Sequence, residues 1–398
     1  MTTISAAIFL GIVVVALVGH GYFWMAIVNR IHGLAGPRKL VDGTTFACLF
    51  AFLTLPPLLV WNGPEVFAHW LTGWEESVGF PTRYLQFCVA WCVGQFLLKA
   101  ALAKVKNDPQ TLRLWCREPV GSGAEDSGAA QESGAMFHGA YSKLLARVPG
   151  NQILQLRVDH KRIAIPRLHA SHEGLTIAHL SDFHMTGRID RAWFEMVVRE
   201  VNRLEADVIA ITGDIVENEA CLPWLTETLC QLEAKLGVYF ILGNHDKYVD
   251  FTRTRDILID ADQTCLSGRW LQVEWNGAPV ILAGNERPWF TALGALEEAP
   301  PRGADNLPLR LLLMHSPDQI AWACRHDADL VLAGHMHGGQ VCFPILGPVA
   351  CPSLHGTRYT DGVYREGATV MHVTRGLSGR TPLRWLCPPE IALLELVT

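Results

Sequence analysis

Two kinds of hydrophobic pattern divide the chain. From Met1 to Asn29 there is no Asp, Glu, Lys or Arg, and Ile4–Val28 is long enough to span a bilayer core with some tilt. A second uncharged run, about Thr44–Trp61, lies between Asp42 and Glu65 and contains Pro56 and Pro57, which transmembrane helices tolerate. The third, Tyr84–Ala103, is weaker, and Lys99 and Lys104 are expected to snorkel towards the interface. Between the last two, Val66, Phe67, Trp70, Leu71 and Trp74 predict a segment lying on the membrane surface.

From about Asn151 the pattern changes to short apolar runs alternating with amphipathic stretches. Leu175–Leu180, Asp207–Thr212 and Val238–Leu242 read as strands. Helices are predicted over the Trp193, Val197, Val201, Leu204 face, with Asp190 as N-cap, and over Leu222–Lys235. Later strands are Val280–Ala283, Leu309–Met314, Leu330–Ala333, Thr369–Val373 and Ile391–Val397. Such alternation predicts a layered α/β domain. Gly121–Gly134 is low in complexity and reads as a connector. The expected organisation is a membrane region over 1–106 with about three helices, a flexible Gly/Ser-rich linker over 107–150, and a catalytic domain over 151–398.

Charge refines this picture. The first loop carries Arg30, Arg38 and Lys39, and the segment around and after the third run carries Lys99, Lys104, Lys106, Arg113 and Arg117, whereas the middle loop is mostly acidic. The positive-inside rule then puts the amino terminus outside and everything after Lys106 in the cytoplasm; a third run that is only interfacial reverses this. The long apolar start without a basic n-region is not a signal peptide. A net charge of -6 gives no reason to expect nucleic acid as a partner. The 11 Cys show no Cys-x-x-Cys pairing, and free thiols fit a reducing compartment.

Five polar clusters stand at predicted strand ends: His179-Leu180-Ser181-Asp182-Phe183-His184, Gly213-Asp214, Gly243-Asn244-His245-Asp246, Met314-His315-Ser316, and Gly334-His335-Met336-His337-Gly338-Gly339. Residues two apart at a strand end share a side, so Asp182 with His184, and His335 with His337, can grip one ion. A lone Gly-Asp is ordinarily a turn. Four His and two Asp converging without an ion, however, would repel or stay unpaired, whereas two divalent cations satisfy them all. The nitrogen and oxygen donors, without thiolates, suit manganese, iron or zinc better than calcium or magnesium. The remaining His160, His169, His172, His326, His355 and His372 have no matching spacing and read as surface or core residues. Arg188, just after the first cluster, and Arg310 could meet a substrate phosphate but are better read as solvated or structural.

D-x-H, G-D, G-N-H-D, a single His after an apolar strand, and G-H-x-H, in this order, resemble the calcineurin-like metallophosphoesterase superfamily over roughly Leu154–Val397. Gly338-Gly339-Gln340 with Pro344, and the run Arg375-Gly376-Leu377 … Pro382-Leu383-Arg384 … Pro389-Glu390-Ile391, resemble its membrane-anchored branch of bacterial phosphodiesterases and membrane-bound UDP-2,3-diacylglucosamine pyrophosphatases. The resemblance implies a four-layer α-β-β-α sandwich of two mixed sheets behind the transmembrane region. It implies one metal on Asp182, His184 and His337, a second on Asn244, His315 and His335, and Asp214 bridging them, with manganese ahead of iron or zinc. His245 would lie near the leaving-group oxygen with Asp246 orienting it, and Glu217 replaces a commoner Asp outside the ligand set. The activity implied is binuclear-metal hydrolysis of a phosphodiester or pyrophosphate, and anchoring favours a membrane-associated, lipid- or nucleotide-linked substrate. The finest reading is UDP-2,3-diacylglucosamine to lipid X and UMP in lipid A synthesis at a bacterial inner membrane. A broad-specificity phosphodiesterase or phosphoprotein phosphatase is the alternative. Retention of all seven ligand positions and His245 disfavours a non-enzymatic scaffold.

Overall fold

The structure, a computed structural model, describes residues 3–34, 36–61, 80–103, 111–120, 136–290 and 296–398. Two compact units emerge, Met1–Val105 with Pro352–Arg358, and Lys106–Cys351 with Tyr359–Thr398.

The first unit contains α1 (Thr3–His32), α2 (Arg38–Trp61) and α3 (Phe80–Ala103), and all three are long and apolar enough to cross a membrane. The third is a continuous helix of 24 residues, long enough to cross and the least apolar of the three. Lys99 finds a partner inside the bundle: its Nζ donates to the Tyr22 hydroxyl at 3.0 Å and lies 4.8 Å from that ring's centre. Gly19 lets α1 approach α3 closely, since a Cβ there would stand 1.9 Å from the Cys88 carbonyl oxygen. The predicted surface segment at 66–74 lies outside the described residues.

Among its described residues the second unit carries fifteen strands and five helices. In chain order these are β1 (Leu112–Val120), α4 (Ala140–Ala146), β2 (Leu156–Ala164), β3 (Thr176–Leu180), α5 (Arg191–Asn202), β4 (Val208–Thr212), α6 (Trp224–Glu227), β5 (Val238–Ile241), α7 (Phe251–Ile259) and β6 (Thr264–Cys265). There follow β7 (Trp270–Trp275), β8 (Ala278–Asn285), β9 (Leu309–Met314), α8 (Ile320–Arg325), β10 (Leu330–Ala333), β11 (Cys342–Phe343), β12 (Gly347–Pro348), β13 (Gly362–Glu366), β14 (Thr369–Val373) and β15 (Glu390–Val397). They form a seven-stranded sheet, β1-β2-β15-β3-β4-β5-β6, a six-stranded sheet, β13-β14-β10-β9-β8-β7, and a small β11-β12 hairpin. Both large sheets are mixed: β15 runs parallel to β2 and antiparallel to β3, and β13 is antiparallel to β14.

Period-two alternation builds the layers. Ile177, Val208, Ala210 and Ile241 face Val280, Leu282, Leu311, Leu313 and Leu332 between the sheets. The opposite face of the first sheet, including Ala178, Leu180, Ile209, Ile211 and Phe240, packs under Trp193, Phe194, Val197 and Val201 of α5. The outer face of the second, including Ala283, Leu312, Met314, Val331 and Ala333, packs with Ile320 and Ala323 of α8. The architecture is the α-β-β-α sandwich. Inner parallel strands are covered on both faces, so their sequences are almost wholly apolar.

Two expectations need correction. The helix predicted over Leu222–Lys235 is reduced to α6 between 3-10 turns. It breaks at Thr228 (φ -124°, ψ -98°), whose hydroxyl donates to the Trp224 carbonyl at 2.7 Å. The segment predicted as linker holds more structure than its composition suggested: β1 pairs antiparallel with β2, and α4 precedes it. Its Gly/Ser-rich stretch, 121–134, lies outside the described residues.

Candidate metal centre

Strands β3, β4 and β5 are mutually parallel, as are β8, β9 and β10 in the facing sheet. Their carboxyl ends therefore deliver loops to one edge of the sandwich, where open α/β sheets place ligands. All five clusters leave from those ends. The backbone there is strained: Asp182, His184, Asp214, His335 and His337 have φ of 55, 45, 55, 70 and 50°. A left-handed non-glycine residue costs roughly 1–2 kcal/mol, and such strain concentrates at functional sites. It reverses the chain within one residue, so strand-end side chains point back over the edge. Hydrogen bonds hold the turns together: Asp182 N–H donates to the Gly213 carbonyl at 3.0 Å and His184 N–H to the Asp214 carbonyl at 2.9 Å. The backbone N–H of His245 donates to Asp214 Oδ1 at 2.8 Å. Gly243 is required for this approach, because a Cβ there would stand 2.3 Å from Asp214 Oδ1.

These loops bring together all seven predicted ligand side chains. Asp182, His184 and His337 form one group and Asp214, His315 and His335 another, each with donor atoms within 4.8 Å of one another. His184, Asp214 and His245 form a third such group, so His245 stands closer in than expected. Asn244 Oδ1 lies 3.0 Å from His315 Nε2. Asp182 and His315 are wholly buried, and Asp214, His184 and His335 nearly so.

The donor set fits cations and not a hydrogen-bonded network. His315 donates through Nδ1 to the Thr212 carbonyl at 2.6 Å, and His184 through Nδ1 to Glu217. Each neutral ring thus carries its lone pair on Nε2. Those two Nε2 atoms lie 3.2 and 3.5 Å from Asp214 Oδ2, a buried oxygen without a hydrogen-bond partner. His337 Nδ1 lies 3.2 Å from the Ser378 carbonyl and 3.3 Å from Arg384 Nη2, and its Nε2 faces His184 Nε2 at 3.0 Å. Imidazole nitrogens of His184 and His315 converging with their lone pairs on a carboxylate call for positive charge.

The electrostatics of the buried groups carry the same demand. Burial pushes Asp182 up from the usual carboxylate range. Burial also opposes charge on Asp214, but the His315 imidazole holds this carboxyl well below that range. In return, and against burial, Asp214 lifts His315 to about 9. Without a cation, a proton on His315 supplies the missing charge.

Two assignments around His245 change. Asp246, expected to orient His245, is fully buried, with Oδ1 accepting from the N–H groups of Ile215 (2.9 Å) and Val216 (3.0 Å) and Oδ2 from Gly243 (2.7 Å). It ties two loops together. The carboxylate beside His245 Nδ1, at 2.9 Å, is Glu217, which also receives His184. Burial opposes ionisation of Glu217, but the bond from His184 outweighs it and brings the carboxyl down to about 2. The one available signal for Glu217 was an acidic side chain three positions after Asp214. Trp289 was also missed; its ring centre lies 4.9 Å from that of His335 and 5.7 Å from that of His315. Arg188 donates to the Arg380 carbonyl and lies over Tyr141, while Arg310 donates to the His326 and Pro300 carbonyls.

Comparison with known proteins adds independent findings. A family model described as calcineurin-like phosphoesterase matches residues 175–339. The chain is 32% identical over 241 residues to the metallophosphoesterase YkuE of Bacillus subtilis, covering 56% of this chain and 79% of that protein. It is 29% identical over 227 residues to the phosphodiesterase YaeI of Escherichia coli, covering 56% and 82% respectively. To the UDP-2,3-diacylglucosamine pyrophosphatase LpxG of Chlamydia trachomatis it is 26% identical over 295 residues, covering 60% and 89%.

Proposed function

This chain belongs to the calcineurin-like metallophosphoesterases, and on that premise we propose that it hydrolyses a phosphodiester or pyrophosphate bond at a binuclear centre built from Asp182, His184, Asp214, Asn244, His315, His335 and His337. The observation that carries this reading is the buried Asp214 Oδ2, without a hydrogen-bond partner, facing the Nε2 atoms of His184 and His315 at 3.5 and 3.2 Å. Asp182, His184 and His337 would hold one divalent cation, Asn244, His315 and His335 the other, and Asp214 both. Bound there, the cations supply Lewis acidity towards phosphoryl oxygens and lower the pKa of water.

The chain's own groups do the rest. Glu217, 2.9 Å from His245 Nδ1, sets the side of the ring that faces it, leaving Nε2 to give a proton to the departing oxygen. Glu217 also sets the His184 ring through Nδ1, as the Thr212 carbonyl does for His315. Asp246 holds the Gly213–Val216 turn against the Gly243–His245 turn, so Asp214 and His245 keep their relative placement.

Manganese is the proposed native metal, one of the three, with iron and zinc, that the nitrogen and oxygen donors suit. Supporting a lipid-borne, nucleotide-linked substrate are three apolar helices and the activity named for the Chlamydia relative. The finer reading is therefore release of UMP from UDP-2,3-diacylglucosamine by a catalytic domain, 151–398, on the cytoplasmic side. Loop charge supports that side. The alternative is a phosphodiesterase of broad specificity; the Escherichia relative is named as a phosphodiesterase. The test is metal analysis and hydrolysis of bis-p-nitrophenyl phosphate with added manganese. Asp214→Ala should lose at least one metal and turnover together; full occupancy in that variant counts against the centre. UMP release in detergent then decides between the two substrates.

A further inference from the structure

A line of polar side chains crosses the apolar layer between the sheets. Lys161 on β2, His179 on β3, Thr212 on β4 and His372 on β14 are all buried. Lys161 Nζ lies 2.5 Å from Glu390 Oε1 on β15 and 3.0 Å from His372 Nε2. His372 Nδ1 lies 2.8 Å from His179 Nδ1, and His179 Nε2 lies 3.0 Å from Thr212 Oγ1. The line has one possible direction. An ammonium only donates, so His372 accepts at Nε2 and donates at Nδ1. His179 in turn accepts at Nδ1 and donates from Nε2 to the Thr212 hydroxyl. That hydroxyl then turns its own hydrogen to the Leu180 carbonyl, 3.5 Å away. Burial keeps both rings neutral, bringing His179 down to about 3 and lowering His372 well below the usual range.

The line ends under the candidate centre. Thr212 stands two residues before Asp214, and Leu180 two before Asp182. The Thr212 carbonyl is the group that fixes the His315 ring. Stability does not require this arrangement, since apolar residues of similar volume usually serve a core as well as a buried polar set. Order is what it supplies: each tautomer is dictated by its neighbour, from the Lys161 ammonium to the strand end.

We propose that Lys161, His372 and His179 are positioning residues that lock Thr212, and through it the orientation of His315 and Asp214, for metal binding. This inference rests on the binuclear-centre reading above. The test uses the full chain in detergent and Mn(II) alone, followed by electron paramagnetic resonance. Thr212→Val keeps the side chain's shape but leaves the His179 N–H without an acceptor; Thr212→Ser keeps the acceptor; Lys161→Met removes the origin of the line's direction. Thr212→Val and Lys161→Met should weaken Mn(II) binding about 10–100-fold, the loss typical of groups that orient metal ligands, and diminish the signal of the coupled pair. Thr212→Ser should keep the unmodified affinity and spectrum. Unchanged affinity in Thr212→Val overturns the proposal, as does equal loss in Thr212→Ser. If Lys161→Met does not fold, the Thr212 pair decides. Failure of the unmodified chain to bind Mn(II) overturns the metal centre itself, a different outcome from normal binding in the variants.

Discussion

At residue scale the site separates groups that face the cations from groups that hold those in place. His245→Ala is expected to keep its metals yet lose about 10²–10⁴ in kcat, the usual contribution of a placed proton donor, as metal analysis beside steady-state kinetics will check. Glu217→Gln should reduce both activity and metal content, because this carboxylate touches His245 and His184 alike. A pH effect belongs to His179, neutral in the folded chain down to about 3 and charged in the unfolded chain below its ordinary 6.5. Between those values the unfolded state binds the extra proton, so stability falls with falling pH by about 1.4 kcal/mol per unit from this ring. His179→Gln should flatten a denaturation-versus-pH series by that slope between about pH 6 and 4. The seven side chains that meet at the candidate centre were legible as a set because each sits in a short cluster ending an apolar strand. Glu217 was not, because its reach to two histidines depends on loops that meet only in space. Asp246 was misread because being next to His245 in sequence suggested contact, while its carboxylate turns to backbone N–H groups.

At element scale, legibility followed burial. Strands β4, β5, β9 and β10, covered on both faces, announced themselves as apolar runs. Strand β7, Trp-Leu-Gln-Val-Glu-Trp at a sheet edge, and β2, with charges at Arg157, Asp159, Lys161 and Arg162, read instead as mixed polar segments. The interior partner of Lys161, Glu390, is visible only after folding. Helix α5 was legible from its face and its cap, and Asp190 indeed accepts from the Ala192 N–H at 2.9 Å. Asp190→Ala should cost about 1 kcal/mol in chemical denaturation, the usual value of a lost N-cap, with metal content unchanged. Its second partner, His138 at 2.8 Å, adds a contribution that Asp190→Asn would largely forfeit while keeping the cap.

At the scale of the whole molecule, three apolar helices and a phosphoesterase sandwich occupy one chain. Alkaline carbonate washing should leave the protein in the membrane pellet, since spans held by tens of apolar side chains do not depend on charge; release into the supernatant would exclude integral insertion. Spans were legible because charge-free length is a one-dimensional signal, whereas the sheet order was not, because distant segments become neighbours. The clearest case is β15, which lies between β2 and β3 although some two hundred residues separate it from either. Translation must run through Val397 before the halves of that sheet can be joined. The apolar helices will have left the ribosome long before, at the usual pace of about 5–20 residues per second. A nascent polypeptide is therefore committed to its bilayer while its catalytic sheet still lacks the middle strand, and hydrolytic competence arrives only after anchorage.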